Sequence, residues 1–279
     1  MTREPLTAHD EVNPRSVRAL HDLIEAEGPP PGPGDPLPPL WHWLAFLPES
    51  RQSGLQEDGH VPMPAAPTDG TYRRMFAGGR VEFRSPLAVG SPLTRTTTYS
   101  DPVEKEGRSG RLIFVTVRHE ISSEGQLGVV EEQDLVYRPA STSSSPSRPQ
   151  ADASGTDDRE PIASADLERT VVPDSRMLFR FSALTYNAHR IHYDLAYATG
   201  VEGYPGLVVH GPLQAVLLLD LLGSERDHLA GFRFRGQAPA FAGAPLRLRG
   251  DRNEAESVEL VAVDPRGTTT MSATAAVER

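Results

Sequence analysis

Apolar positions along the chain fall into two patterned stretches separated by a polar gap. In the first, Leu20, Leu23 and Ile24 recur at helical spacing and predict a helix over residues 13–26, ended by Gly28 and the prolines after it. Residues 29–39 are proline-rich and read as extended chain, followed by an apolar cluster of Trp41, Trp43, Leu44, Phe46 and Leu47. The period then changes to two. Residues 81–83, 93–100, 111–121 and 126–137 read as strands, with Ile113, Val115 and Val117 on one face and turns such as Glu106-Gly107 and Glu124-Gly125 between them.

Residues 139–164 are mostly Ser, Pro, Asp, Thr and Ala. They offer almost nothing to bury, so they predict a flexible linker between an N-terminal half, 1–138, and a C-terminal half, 165–279. The second half begins with an expected short strand at 177–181, then a loop, then the turn Gly203-Tyr204-Pro205-Gly206. A helix over 213–222 follows, apolar nearly all round, as in a helix surrounded by protein. Pro212 suits its first turn, where a missing N–H costs nothing. Strands are expected at 231–235, 246–250, 257–263 and 268–276. Helix plus antiparallel strands in each half gives an α+β class.

Composition narrows the function. The 279 residues suffice for one large domain or two ordinary ones. A net charge of −10 disfavours nucleic acid and anionic membrane surfaces, so neither partner is expected. The absence of cysteine rules out disulfides, thiolate metal sites and a cysteine nucleophile. The first residues, Met1 to Leu6, lack a secretory pattern, and the longest apolar run, 213–222, is interrupted by Gln214 and Asp220. It falls short of the roughly 20 residues of a membrane span, so a soluble, cytoplasmic protein is expected.

Candidate chemistry concentrates in two places. Asn187, His189, His192 and Asp194 fall within eight residues. Their His-x-x-His-x-Asp spacing is a poor metal signature and no second ligand cluster stands out, so neither a metal nor a cofactor is expected. His210-Gly211-Pro212 opens the apolar helix, where unpaired N–H groups and a partial positive charge suit a developing oxyanion. Glycine there allows a ligand carbonyl to approach closely.

The stretch from Phe181 to Leu222 resembles the MaoC-like, or R-specific enoyl-CoA hydratase, members of the hot-dog superfamily, whose motif reads Gly-Asp-x-Asn-Pro-Ile-His-x-Asp. Aligned on Ile191-His192-Tyr193-Asp194, His192 matches the catalytic histidine, His189 the asparagine and Arg190 the proline. Asn187 falls on the catalytic aspartate, so an amide stands where that family carries a carboxylate. The longer pattern, with Trp41 to Pro48, Arg73 to Arg80 and Phe114 to Glu120, is similar to mesaconyl-C4-CoA and itaconyl-CoA hydratases and to mitochondrial-type 3-hydroxyacyl-thioester dehydratases.

The resemblance implies a double hot-dog, two antiparallel sheets each wrapped on a helix and paired within one chain, with a degenerate N-terminal half and a catalytic C-terminal half. It implies a hydro-lyase acting on the C=C bond of an acyl-CoA or acyl-carrier-protein thioester, in a chain expected to form a homodimer. His192 would be the general acid/base, Asn187 would orient water and the Gly211 N–H would polarise the thioester carbonyl. Asp194, Tyr186, His189 and His210 are supporting candidates. Arg190, Tyr204, Pro212 and Arg233 are candidates for substrate contact, and Arg73, Arg74, Arg235, Arg247 and Arg249 for CoA phosphates. A hot-dog thioesterase would want a carboxylate to activate water, which Asn187 is not. A non-catalytic binding module is disfavoured by the retained His192 and His210-Gly211.

Overall fold

The computed structural model describes residues 4–63, 72–107, 110–139, 165–253 and 257–277. Nearly all of the expected linker, 140–164, lies outside the described residues. In chain order the elements are β1 (Leu6–Glu11), α1 (Pro14–Ile24), β2 (Tyr72–Phe83), β3 (Pro92–Tyr99), β4 (Val103–Gly107), β5 (Gly110–Ser123), β6 (Gln126–Pro139), β7 (Leu167–Val171), α2 (Ser175–Thr185), α3 (Leu195–Gly200), α4 (Gly211–Asp220), β8 (Leu229–Gly236), β9 (Leu246–Arg252), β10 (Ser257–Val263) and β11 (Thr269–Val277).

One 11-stranded antiparallel sheet runs through both halves in the order β1-β3-β5-β6-β2-β8-β11-β10-β9-β7, with β4 on β5. The halves meet where β2 pairs β8, from Gly78↔Arg235 to Glu82↔Gly231. At this seam Gly78 has a φ of 157° and lies against the Phe234 backbone, which leaves no room for a Cβ.

The helix predicted at 213–222 is α4, and every residue from Leu213 to Leu219 is buried. Strands β9, β10 and β11 pack against it. Their inward positions follow the two-residue period: Leu246 and Leu248, then Val258, Leu260 and Ala262. Burying each such leucine stabilises the fold by about 1.5–3 kcal/mol. The one polar side chain of the buried stretch, Gln214, accepts a hydrogen bond from the Thr270 hydroxyl at 2.7 Å and so is not left unpaired. Helix α1 starts where expected, with the Asn13 side chain accepting from the Arg15 N–H, and its Val17, Leu20, Leu23 and Ile24 join the same core.

The sequence pattern misled at 177–181, which is not a strand but lies inside α2. Asp174 caps that helix by accepting the Met177 N–H at 2.9 Å, and Leu178 and Phe181 are buried while Phe179 is 66% exposed, a helical alternation over too few turns to stand out. Strand β2 begins at Tyr72 rather than 81, because residues 72–77 are half-buried and show no two-residue period. Among the described residues no helix is long and apolar enough to cross a membrane.

Candidate active site

Helix α2 ends with Tyr186 in the left-handed region, φ 50°, and the Asn187 N–H reaches back to the Ser182 carbonyl at 2.9 Å. The chain then turns sharply through a single 3-10 turn, Arg190–His192, and Asp194 starts α3 by capping the Tyr197 N–H at 3.0 Å. These two caps hold His192 at the floor of the loop, 7% exposed.

Nδ1 of His192 lies 2.7 Å from the Val208 carbonyl oxygen. A carbonyl can only accept, so Nδ1 carries the hydrogen and Nε2 is left with its lone pair. Burial pushes this imidazole down to about 4, against the Val208 hydrogen bond, which favours the cation. At neutral pH His192 is therefore an uncharged base. His210 stacks on it at 3.6 Å between ring centroids, 20° from parallel, and is itself tied to the Ser182 hydroxyl through Nε2 at 2.9 Å. Burial, then the neighbouring histidines, hold His210 well below the usual range.

His210 is also the N-cap residue of α4, so the stacked pair sits at the start of that helix. Pro212 occupies its first turn. Among the described residues nothing accepts the Gly211 N–H. Gly211 faces Phe76 of β2, whose ring would stand 3.3 Å from an added Cβ. The N-terminal half thus lines the mouth of the α4 start.

The remaining sequence candidates divide. The Asn187 side-chain oxygen accepts the His189 N–H at 3.0 Å, which leaves its amide N–H groups for a ligand or water. Asp194 is fully engaged, by the Tyr197 N–H and by a two-pronged contact from Arg190. Arg190 is spent on Asp194, on the Glu57 carbonyl and on the face of Tyr197, 4.0 Å away. Tyr186 is 57% exposed. Tyr204 packs beside Phe241 in a small cluster with Ile191 and Tyr197. Arg233 is not brought to this site. It alternates with the buried Phe232 and Phe234 on β8 and so points to the other face of the sheet, as the two-residue period requires. Of the further arginines, Arg73 is paired with Glu202 at 2.7 Å, while burial pushes the Arg74 guanidinium below its ordinary value.

Sequence reasoning missed a second loop that completes the cluster. A tight turn at Asp58-Gly59-His60 packs on the loop that carries Asn187 to Asp194: the Arg190 N–H donates to the Asp58 carbonyl at 2.8 Å. Gly59, at φ 91°, lies so close that the Ala188 carbonyl occupies the place of a Cβ. The Asp58 carboxylate takes the His60 N–H at 2.9 Å and His60 Nδ1 at 2.8 Å. The His60 ring lies 4.0 Å from that of His189, and His189 meets His192 edge-on at 5.4 Å. Burial raises the Asp58 carboxyl, but its contacts with His60 outweigh this and hold it below the carboxylate range. Burial first, and then the Arg74 charge, lowers His60; burial and the His60 charge take His189 down to about 2. The only signal in the sequence was an Asp-Gly-His triplet in a polar stretch. It also supplies the second ligand cluster that the sequence had not shown: donor atoms of Asp58, His60 and His189 lie within 4.8 Å of one another.

The model of one family, described as hydroxyacyl-thioester dehydratase type 2, matches residues 40–242. The chain belongs to that family. Membership makes it an acyl-thioester hydro-lyase of the MaoC-like class, as the resemblance had implied. The chain is 47% identical to the mesaconyl-C(4)-CoA hydratase of Chloroflexus aurantiacus, over 95% of this chain and 92% of that one. It is 28% identical to the mitochondrial hydroxyacyl-thioester dehydratase type 2 of Schizosaccharomyces pombe, over 76% and 77% of the two chains. Among solved structures, HtdX of Mycobacterium tuberculosis aligns with a TM-score of 0.68 at 14% identity, covering 99% of this chain and all of that one. A MaoC-like dehydratase from Phytophthora capsici aligns at 0.65 and 15% identity, covering 99% and 96%. These likenesses show the fold, an α+β hot-dog architecture.

In this member of the family the fit of Gly59 against Ala188 gives a test of how the loops register. Gly59→Ala has to push the candidate catalytic loop away at Ala188, and displacements of about 1 Å at a reacting centre cost on the order of 100-fold. The variant is expected to lose kcat by about that factor while remaining folded, read by steady-state kinetics beside circular dichroism.

Proposed function

We propose that the chain adds water to, and in reverse removes it from, the C=C bond of a small branched or dicarboxylic enoyl-CoA of the mesaconyl-C4 or itaconyl type. The observation that carries this reading is the similarity, end to end, to the mesaconyl-C(4)-CoA hydratase. The geometry supports the chemistry. With Nδ1 committed to Val208, Nε2 of His192 is the base that takes a proton from water as the water oxygen bonds to Cβ. The electron pair of the C=C bond moves onto the thioester oxygen, to which the Gly211 N–H at the start of α4 donates a hydrogen bond. The enolate then takes the same proton from His192 at Cα. One proton serves both steps, and His192 ends as it began. Asn187, with its oxygen held by the His189 N–H, turns its amide N–H toward the water oxygen.

The family description and the Schizosaccharomyces relative favour a second reading, dehydration of a 3-hydroxyacyl group on a carrier protein. Loss of the ultraviolet enoyl-thioester band separates the two. Rapid hydration of mesaconyl-C4-CoA or itaconyl-CoA, against slow crotonyl-CoA and slow carrier-bound enoyl groups, is the expected result. The reverse order overturns the CoA reading. Asn187→Ala is expected to lower kcat by roughly 10-fold or more with the fold unchanged, since it removes one hydrogen bond to the reacting water. A variant as active as the wild type would remove Asn187 from the mechanism.

A further inference from the structure

With one hydrogen going to His192 and its oxygen accepting from the Asn187 amide, the water still has a second O–H to place, and the other groups nearest in sequence are already engaged. Both Asp194 oxygens are taken by Tyr197 and Arg190. Tyr186 faces solvent. His210 lies behind the His192 ring and turns its Nε2 to Ser182. Position 187 carries an amide, which cannot take up charge.

Resting on the hydro-lyase reading, we propose that Asp58 and His60 of the N-terminal half form the second acceptor that holds the reacting water, in place of the carboxylate that position 187 lacks. Four observations carry it. The Asp58 carboxylate grips His60 twice, through the backbone N–H and through Nδ1, which fixes the ring and leaves Nε2 as an acceptor. Among the described residues no hydrogen bond occupies that Nε2. The His60 ring lies 4.0 Å from that of His189, tilted by 36°, and His189 in turn meets His192 edge-on, so the pair joins the same cluster. Finally, the Arg190 N–H bond to Asp58 and the fit of Gly59 under Ala188 fix one loop on the other.

In the step itself, the water donates one hydrogen to Nε2 of His60 as a hydrogen bond. Its other proton goes to Nε2 of His192 and on to Cα. One water O–H bond breaks, one C–O bond forms at Cβ and one C–H bond forms at Cα. The π pair passes through the thioester oxygen and returns, and nothing is oxidised or reduced. Asp58, by accepting the His60 Nδ1–H, fixes the ring and makes Nε2 a better acceptor for the hydrogen that stays on the oxygen.

The same donor atoms could be imagined around a metal ion, but two features oppose it. Asp58 and His60 Nδ1 are bonded to each other rather than turned to a common point. The Arg74 guanidinium also acts on both His60 and His189, where it would repel a second cation. The charged and titratable groups that face His60 are thus Asp58, Arg74, His189 and His192.

The test uses the full chain with the best enoyl-CoA from the panel above, and compares His60→Gln, Asp58→Asn and the double variant His60→Gln/Asn187→Asp. His60→Gln is expected to lose about 100-fold in kcat with KM held within about threefold, the loss expected of a group acting on the reacting water. Asp58→Asn should lose about 10-fold, and the Asn187→Asp change should restore at least about 10-fold to the His60→Gln chain, because it returns a carboxylate to the water. Circular dichroism checks the fold, and Asp58→Asn carries the test should His60→Gln not fold. Wild-type kcat in both single variants, with His192→Ala inactive, overturns this inference and leaves the hydro-lyase reading standing. A wild-type chain inert toward every thioester overturns both. Activity abolished by a chelator and restored by a stoichiometric zinc ion would replace this water-holding pair with a metal site.

Discussion

His192→Ala is expected to lower kcat by about 10³- to 10⁴-fold, the upper part of what a positioned general acid/base contributes. KM for the enoyl-CoA should change little. Val208 claims Nδ1, so in the proposed mechanism Nε2 is the lone pair that both receives the water proton and returns it to Cα. His189 cannot take over, because its ring is held edge-on at 5.4 Å and burial has driven it down to about 2. His210 is tied to Ser182. Truncation also leaves the buried Val208 carbonyl without its donor, which costs about 1–3 kcal/mol, so a lower melting temperature accompanies the loss of turnover. The chain still folds, since the core around α4 does not use this ring. Following the enoyl band in a stopped-flow instrument gives the result directly, and turnover within about tenfold of wild type would remove His192 from its role.

Much of this arrangement was legible in the sequence, and the gaps have physical causes. Helix α4 was readable as an unbroken apolar run opened by Pro212, and strands such as β9 and β10 by their two-residue period. The stacked His192–His210 pair was half readable: the resemblance flagged each residue, but only the fold shows that their rings meet. Strands β1, β4 and β7 were missed because they are short, and two of them, β1 and β7, are edge strands of the long sheet with no buried face to reveal. Helix α3 was missed because Leu195–Gly200 is too short for a periodic signal, although Asp194 is a readable cap. Arg233 was misjudged because charge type says nothing about which face of a strand a residue takes, and Phe232 and Phe234 had already claimed the inner one. Asp58 and His60 were invisible for a deeper reason. They lie about 130 residues before His192, and only tertiary packing through Gly59 brings the two loops together.

The same cluster should make the protein acid-labile well above the pH at which its carboxylates titrate. His192 sits at about 4 and His189 at about 2, and His60 and His210 are lowered with them. In the unfolded chain each titrates near roughly 6.5. Below that pH the unfolded state binds protons that the folded state refuses, so the stability these groups give is complete above about 6.5 and drains away as the pH falls toward their folded values. Each contributes about 1.4 kcal/mol per pH unit at the limit, and His119, also lowered to about 4, adds to the same window. Together they amount to several kcal/mol by pH 5, comparable with the total of about 5–15 kcal/mol that holds a typical domain. Carboxylates cannot produce this loss. Burial raises Glu131, but its partners, His42 first, bring it down to about 2, so its contribution is full above about 4.5 and is lost only below that. Asp58 likewise matters only below its usual range. Urea unfolding midpoints are therefore expected to hold steady from pH 8 to 7 and fall steeply from 6.5 to 5, with His60→Gln giving a shallower fall. A midpoint that stays flat to pH 5 would mean that the imidazoles are protonated in the folded protein. The uncharged base assigned to His192 at neutral pH would then be lost with it.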